Sequence, residues 1–154
     1  TGDYKLDCRF NKDELINRIK LIAHHKNKIH LYNSDALELI DLIQAQQENT
    51  NTIYYFDPPY YLKGPSLYMS HYKHDDHRAV SQRIQQIQNT QWIVSYDNTD
   101  EIKQLYDTAR KQEYTFYHTA YQIREGKEVL FFSNGLTVPY VSSPTHMKIA
   151  KIGT

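Results

Sequence analysis

Ten consecutive residues, Thr52 to Tyr61 (TIYYFDPPYY), constrain the fold of this 154-residue chain more tightly than any other stretch. Ile53, Tyr54, Tyr55 and Phe56 are β-branched or aromatic, the composition of a buried strand. Pro58 and Pro59 have a fixed φ and no backbone donor, so neither continues a ladder. The strand is therefore expected to stop at or next to Asp57. That leaves a carboxylate, a stiff turn and the ring of Tyr60 at the carboxyl end of a sheet, where open α/β sheets bind their ligands.

The chain is long enough for one domain with a real core. Its 18 basic side chains balance 18 acidic ones, so the overall charge gives no sign of a nucleic-acid partner and counts against a self-sufficient DNA binder. Fourteen tyrosines suit both strands and stacking surfaces and do not separate core from binding. Cys8 is the single cysteine, which excludes an internal disulfide and fits a reducing cytoplasm. No signal peptide and no apolar run of membrane length is seen, so a soluble protein is expected.

Residues 1–10 lack periodicity and read as a connector. Asn11 with Glu14 three residues on resembles a capping box, and Leu15, Ile16, Ile19, Ile22 and Ala23 share one helical face, predicting a helix from about Lys12 to His25. Ile29 to Tyr32 reads as a short strand. Ser34 or Asp35 can then cap a helix carrying Leu37, Ile40 and Ile43. After the prolines, Leu62 to Tyr72 forms a loop. His71, His74 and His77, with Asp75 and Asp76, are dense enough to suggest a divalent metal. The competing expectation places His74 and His77 ahead of a helix capped by Asp75 or Asp76 and buried through Val80, Ile84 and Ile87.

Trp92 to Tyr96 reads as a second buried strand whose polar end lines the same edge as Asp57, which makes Asp97 and Asn98 candidate DNA or pocket contacts. Thr99 or Asp100 caps a helix bearing Ile102, Leu105, Tyr106 and Ala109. Tyr114 to Ile123 and Glu128 to Ser133 flank Arg124-Glu125-Gly126-Lys127 and predict an antiparallel hairpin with that turn at its tip. Arg124 and Lys127 would project there, solvated or touching phosphates. Residues 136–154 form an unassigned tail.

An acid, a rigid carbonyl and a flat ring in sequence suit the methylation of an amino group conjugated into a ring. Such a nitrogen is a weak nucleophile. Asp57 and the Pro58 carbonyl can accept its two hydrogens while Tyr60 stacks on the base. A base inside a duplex must be flipped out to reach such a pocket.

Asp57-Pro58-Pro59-Tyr60 resembles the DPPY motif of DNA adenine methyltransferases, and its surroundings resemble the Dam-type branch of that family. The similarity runs from about Arg9 to Asn134 and includes RFNK (Arg9 to Lys12), LYNSDALELI (Leu31 to Ile40), WIVSYDN (Trp92 to Asn98) and KEVLFFSN (Lys127 to Asn134). The resemblance implies a catalytic set of Asp57, Pro58, Pro59 and Tyr60. It implies S-adenosylmethionine as co-substrate, held in part by Asp35, Ser34 and Asp57, with no metal. It implies double-stranded DNA as partner, contacted through Tyr68, Tyr72, Asn98, Arg124 and Lys127, in a cytoplasmic, nucleoid-associated enzyme, either solitary or part of a restriction-modification system.

The implied fold is α/β: part of a Rossmann-like class I methyltransferase sheet with flanking helices and a carboxy-terminal antiparallel hairpin, over residues 11–135. In that family the sheet order is 3-2-1-4-5-7-6, the strand before Asp35 matching the third and TIYYF the fourth. The family's Gly-rich donor loop is expected ahead of RFNK, and the five glycines here form no GxG pair. The chain thus reads as a carboxy-terminal portion, expected to need an amino-terminal segment with the donor loop and the target-recognition domain, and to leave a sheet edge open. Two other expectations stand beside this one: a non-catalytic DNA-binding or subunit module that keeps the base pocket, and a metal-dependent hydrolase built on His71, His74 and His77.

Overall fold

The computed structural model describes residues 10–46, 51–62, 64, 69, 71–118, 124–138 and 147–149; Tyr68 and Cys8 lie outside them. The chain divides into two compact units, Thr1–Asp35 and Ala36–Thr154.

The first unit contains helix α1, Lys12–His24, and a 3-10 turn, Lys26–Lys28. The expected cap is present: the Asn11 side chain accepts the Glu14 N–H at 3.2 Å, and Glu14 in turn pairs with Arg18 one turn on. Asp13 and Glu14 complement the positive end of the helix dipole. The apolar stripe read from the sequence remains open, with Ile19 and Ile22 more than half exposed. The strand expected at Ile29 to Tyr32 does not form. Its backbone joins no ladder, and Leu31 is 94% exposed. A short apolar run suggests a strand only if a neighbour supplies the other half of its hydrogen bonds, and among the described residues none does.

The second unit is mixed α/β. Helix α2, Ala36–Gln46, begins directly after Asp35, one of the two residues expected as its cap. Strand β1, Ile53–Phe56, is followed by helix α3, His74–Gln85, strand β2, Gln91–Asp97, helix α4, Asp100–Leu105, and the long strands β3, Arg110–His118, and β4, Arg124–Phe132. A three-residue strand β5, Met147–Ile149, completes a sheet of order β1-β2-β4-β3-β5. β1 and β2 run parallel, and every other pair is antiparallel.

The core lies on one face of this sheet. Val94 and Tyr96 of β2 pair in register with Phe131 and Val129 of β4, and all four are fully buried against Ile84 of α3 and Ile102 of α4. Tyr106 stacks on Phe131 with ring centroids 4.5 Å apart. Of the two caps predicted for α4, Thr99 takes the position, its hydroxyl accepting the Ile102 N–H at 3.2 Å. α3 buries Val80 and Ile84, as its stripe implied, and Ile87 is buried just beyond its end.

Three expectations need correcting. β1 is an edge strand with alternate exposure, Ile53 at 55% and Tyr55 at 62%, where the apolar run suggested a buried one. Apolar content reports neighbours on one face and cannot tell a central strand from an edge. His74 and His77 lie inside α3, which starts earlier than expected; Lys73 takes the cap position and the Asp76 carboxylate accepts its N–H at 2.8 Å. Finally, Arg124 to Lys127 is not a turn. These residues pair with His118, Tyr117, Phe116 and Thr115 as the first part of β4. The hairpin is therefore longer than predicted, because polar residues in its outer half were read as turn chemistry although the ladder needs only their backbones.

Candidate functional site

Parallel pairing of β1 and β2 brings their carboxyl ends to one edge, and antiparallel β4 delivers its first half to the same place. Asp97, the last residue of β2, faces Glu128 of β4, which faces Tyr114 of β3. Phe56 ends β1 opposite Val94, so Asp57 to Tyr60 leave the sheet beside these residues. The order of elements thus assembles DPPY, Asp97, Asn98 and Glu128 at one edge.

Asp57 is exposed, and among the described residues it has no hydrogen bond or ion pair. Pro58 and Pro59 are half-buried and turn the chain away from the ladder. Tyr60 is half-buried, its hydroxyl donating to Glu128 Oε1 at 2.7 Å. The turn that follows is held by Asp97. Its Oδ1 accepts the Tyr61 N–H at 2.8 Å and its Oδ2 the Leu62 N–H at 2.9 Å, while the Gly64 N–H donates to the Tyr60 carbonyl at 2.9 Å.

Beneath the turn lies a ring cluster. Tyr61 packs on His77 at 5.2 Å between centroids, and its hydroxyl lies 3.1 Å from His74 Nδ1. Tyr72 packs on the same imidazole at 5.3 Å. His77 is 1% exposed, with Nδ1 3.0 Å from the Tyr96 hydroxyl. Burial lowers the His77 pKa, against the opposing pull of Asp97 and Asp76. Burial likewise pushes the Tyr96 hydroxyl far above its ordinary value, so the pair is a neutral hydrogen bond at physiological pH.

The predicted site residues fall into groups. Asp57, Pro58, Pro59, Tyr60 and Asn98 share the carboxyl edge. Asn98 is held there, its side chain donating to Glu113 Oε2 at 2.8 Å and its backbone N–H to the Lys127 carbonyl at 3.1 Å. Lys127 is exposed within β4, and the backbone of Arg124 lies at the start of that strand, not at a hairpin tip. Tyr72 is half-buried against His77. Ser34 and Asp35 are exposed at the end of the first unit. The three histidines do not converge: His77 is buried on Tyr96, His71 is exposed, and no metal-holding group of three His, Cys, Asp or Glu side chains occurs among the described residues.

The sequence reading missed Glu128 and took Asp97 for a pocket or DNA contact. Nothing local signals either role, because each partner lies more than thirty residues away in sequence. A cavity of about 460 Å3 opens at the opposite end of the sheet, between Gln91, Trp92, Ser133 and Gly135. Among the described residues no ionisable side chain lines it. No protein-family model matches the chain, and no curated protein matches its sequence.

Proposed function

We propose that this chain carries the base-binding and catalytic corner of a DNA adenine methyltransferase of the Dam type, with a partial Rossmann-like class I sheet. The supporting observation is Asp57, exposed directly beyond the last residue of β1 with the double proline and the fastened Tyr60 behind it. The order of four of the five strands supports that reading: β1-β2-β4-β3 parallels 4-5-7-6 in the family's sheet, and β5 is an additional strand beyond it. Among the described residues no strand pairs with the second edge of β1, the side on which the family's sheet carries its further strands.

On this reading an adenine turned out of the duplex stacks on Tyr60. Its 6-amino group donates one hydrogen bond to the Asp57 carboxylate and one to the Pro58 carbonyl, which draws the nitrogen lone pair out of conjugation. The nitrogen attacks the methyl carbon of S-adenosylmethionine. A C–N bond forms and the C–S bond breaks, sulfur keeps the electron pair as a neutral thioether, and the surplus amine proton passes to solvent. Asp57, Pro58 and Tyr60 are the catalytic residues; Asp35 and Ser34 are assigned to the donor.

The experiment is methyl incorporation from labelled donor into adenine-containing DNA by the full-length protein, with donor affinity measured by calorimetry in parallel. Transfer to adenine supports the reading. DNA binding with neither donor affinity nor transfer replaces it with a non-catalytic module.

A further inference from the structure

We infer that Asp97 is the positioning residue of this edge: it fixes the catalytic turn through backbone amides and touches neither base nor donor. The inference rests on the methyltransferase reading for its catalytic consequence and on geometry alone for its mechanical part.

Two prolines stiffen Asp57 to Tyr60 internally but do not anchor the segment to the sheet. Neither has an N–H, so the middle of the turn offers no backbone donor by which the sheet could fasten it. Just past Tyr60, Tyr61 and Leu62 carry backbone donors outside any ladder, and Asp97 engages both, one per carboxylate oxygen, at 2.8 and 2.9 Å. A charged acceptor makes bonds about twice as strong as a neutral one. Asp97 is only 9% exposed, so solvent competes weakly for those oxygens. Its own backbone is fixed in the central strand β2, paired with Glu128. The load is shared below, where Tyr61 reaches His74 through its hydroxyl and covers His77 with its ring. Asp57 therefore stands on a turn tied to the sheet from one side by Asp97 and, through Tyr60, from the other by Glu128.

An amide cannot replace this carboxylate. Asp97→Asn keeps one acceptor oxygen and turns an NH2 group towards the second N–H, so one amide loses its partner. The test is residue-resolved amide hydrogen exchange on the full-length protein, wild type and Asp97→Asn, with methyl-transfer kinetics on both. In the wild type the Tyr61 and Leu62 amides are protected. In Asp97→Asn at least one exchanges about tenfold faster or more while amides of β2 keep their protection. The variant's kcat falls about tenfold or more with donor KM within about twofold, the signature of misplacement rather than lost binding.

Unprotected wild-type amides, or exchange unchanged in Asp97→Asn, overturn the inference. Faster exchange with unchanged kcat also overturns it, leaving Asp97 a purely structural residue. Protected amides in a wild-type protein that transfers no methyl group overturn the methyltransferase reading instead and leave the clamp in place. Should Asp97→Asn fold poorly, the wild-type exchange rates still decide the mechanical part.

Discussion

The hydroxyl of Tyr60 lies 2.7 Å from Glu128 Oε1, joining the residue that ends the DPPY motif to a strand sixty-eight positions later in the sequence. Through this bond the ring that would stack on a base is aimed by β4, whose first half lies at the site edge because β4 runs antiparallel to β2.

Tyr60 can be dissected with two substitutions. Tyr60→Phe keeps the ring and removes the bond to Glu128, and is expected to lower stability by about 1 kcal/mol, the usual net worth of one hydrogen bond. Tyr60→Ala also removes the stacking face and should weaken binding of an adenine-containing single strand by about 1–3 kcal/mol. Denaturant melts and fluorescence anisotropy measure the two effects. Equal oligonucleotide affinity for wild type and Tyr60→Ala contradicts the stacking role.

His77 makes stability depend on pH. The groups facing it are Tyr96 and Asp97 of β2, Tyr61 and Tyr72 of the loop, and His74 and Asp76 of its own helix. Burial lowers its pKa below the ordinary 6.5, so the unfolded chain binds the proton more readily. The contribution is complete above about 6.5 and is lost as pH falls towards the folded-state value. The melting temperature of the wild type is expected to drop between pH 7 and 5 more steeply than that of His77→Gln. Parallel pH profiles for the two proteins contradict this assignment.

Tyr106 carries a cost that a single atom removes. Its ring is fully buried on Phe131, yet among the described residues its hydroxyl has no hydrogen-bond partner. Such an orphan costs about 1–3 kcal/mol, so Tyr106→Phe is expected to stabilise the fold by about 1 kcal/mol. Urea unfolding decides it, and a destabilised variant would reveal a partner for that oxygen.

The open side of β1 predicts association between copies of this 154-residue chain, in which no further strand covers that edge among the described residues. Ile53 and Tyr55 are more than half exposed on a strand whose second edge has no partner among the described residues. Unpaired apolar edges template further strands, and a lysine blocks them. Tyr55→Lys is expected to reduce concentration-dependent light scattering several-fold without a change in melting temperature beyond about 1 °C.

Much of this fold was legible from local patterns. The caps Asn11 and Thr99, the stripe Val80-Ile84-Ile87 and the stop after Phe56 each follow from side-chain chemistry within a few residues. What escaped depended on distant neighbours. Ile29 to Tyr32 has strand composition but no partner strand, β1 has core composition but an edge position, and Arg124 to Lys127 has turn composition inside a ladder set by β3. At the site, Asp57 and Tyr60 were marked by the prolines between them. Asp97 and Glu128 were not, because their partners are known only once β2 and β4 lie side by side.

Mass-spectrometric nucleoside analysis of DNA incubated with S-adenosylmethionine and the full-length protein tests the central claim most directly, with Asp57→Ala as control. The account predicts N6-methyladenine from the wild type and a loss of at least about a hundredfold in the variant, the scale for removing one preorganised transition-state group. N6-methyladenine formed equally well by Asp57→Ala, or no methylated adenine from the wild type, would contradict it.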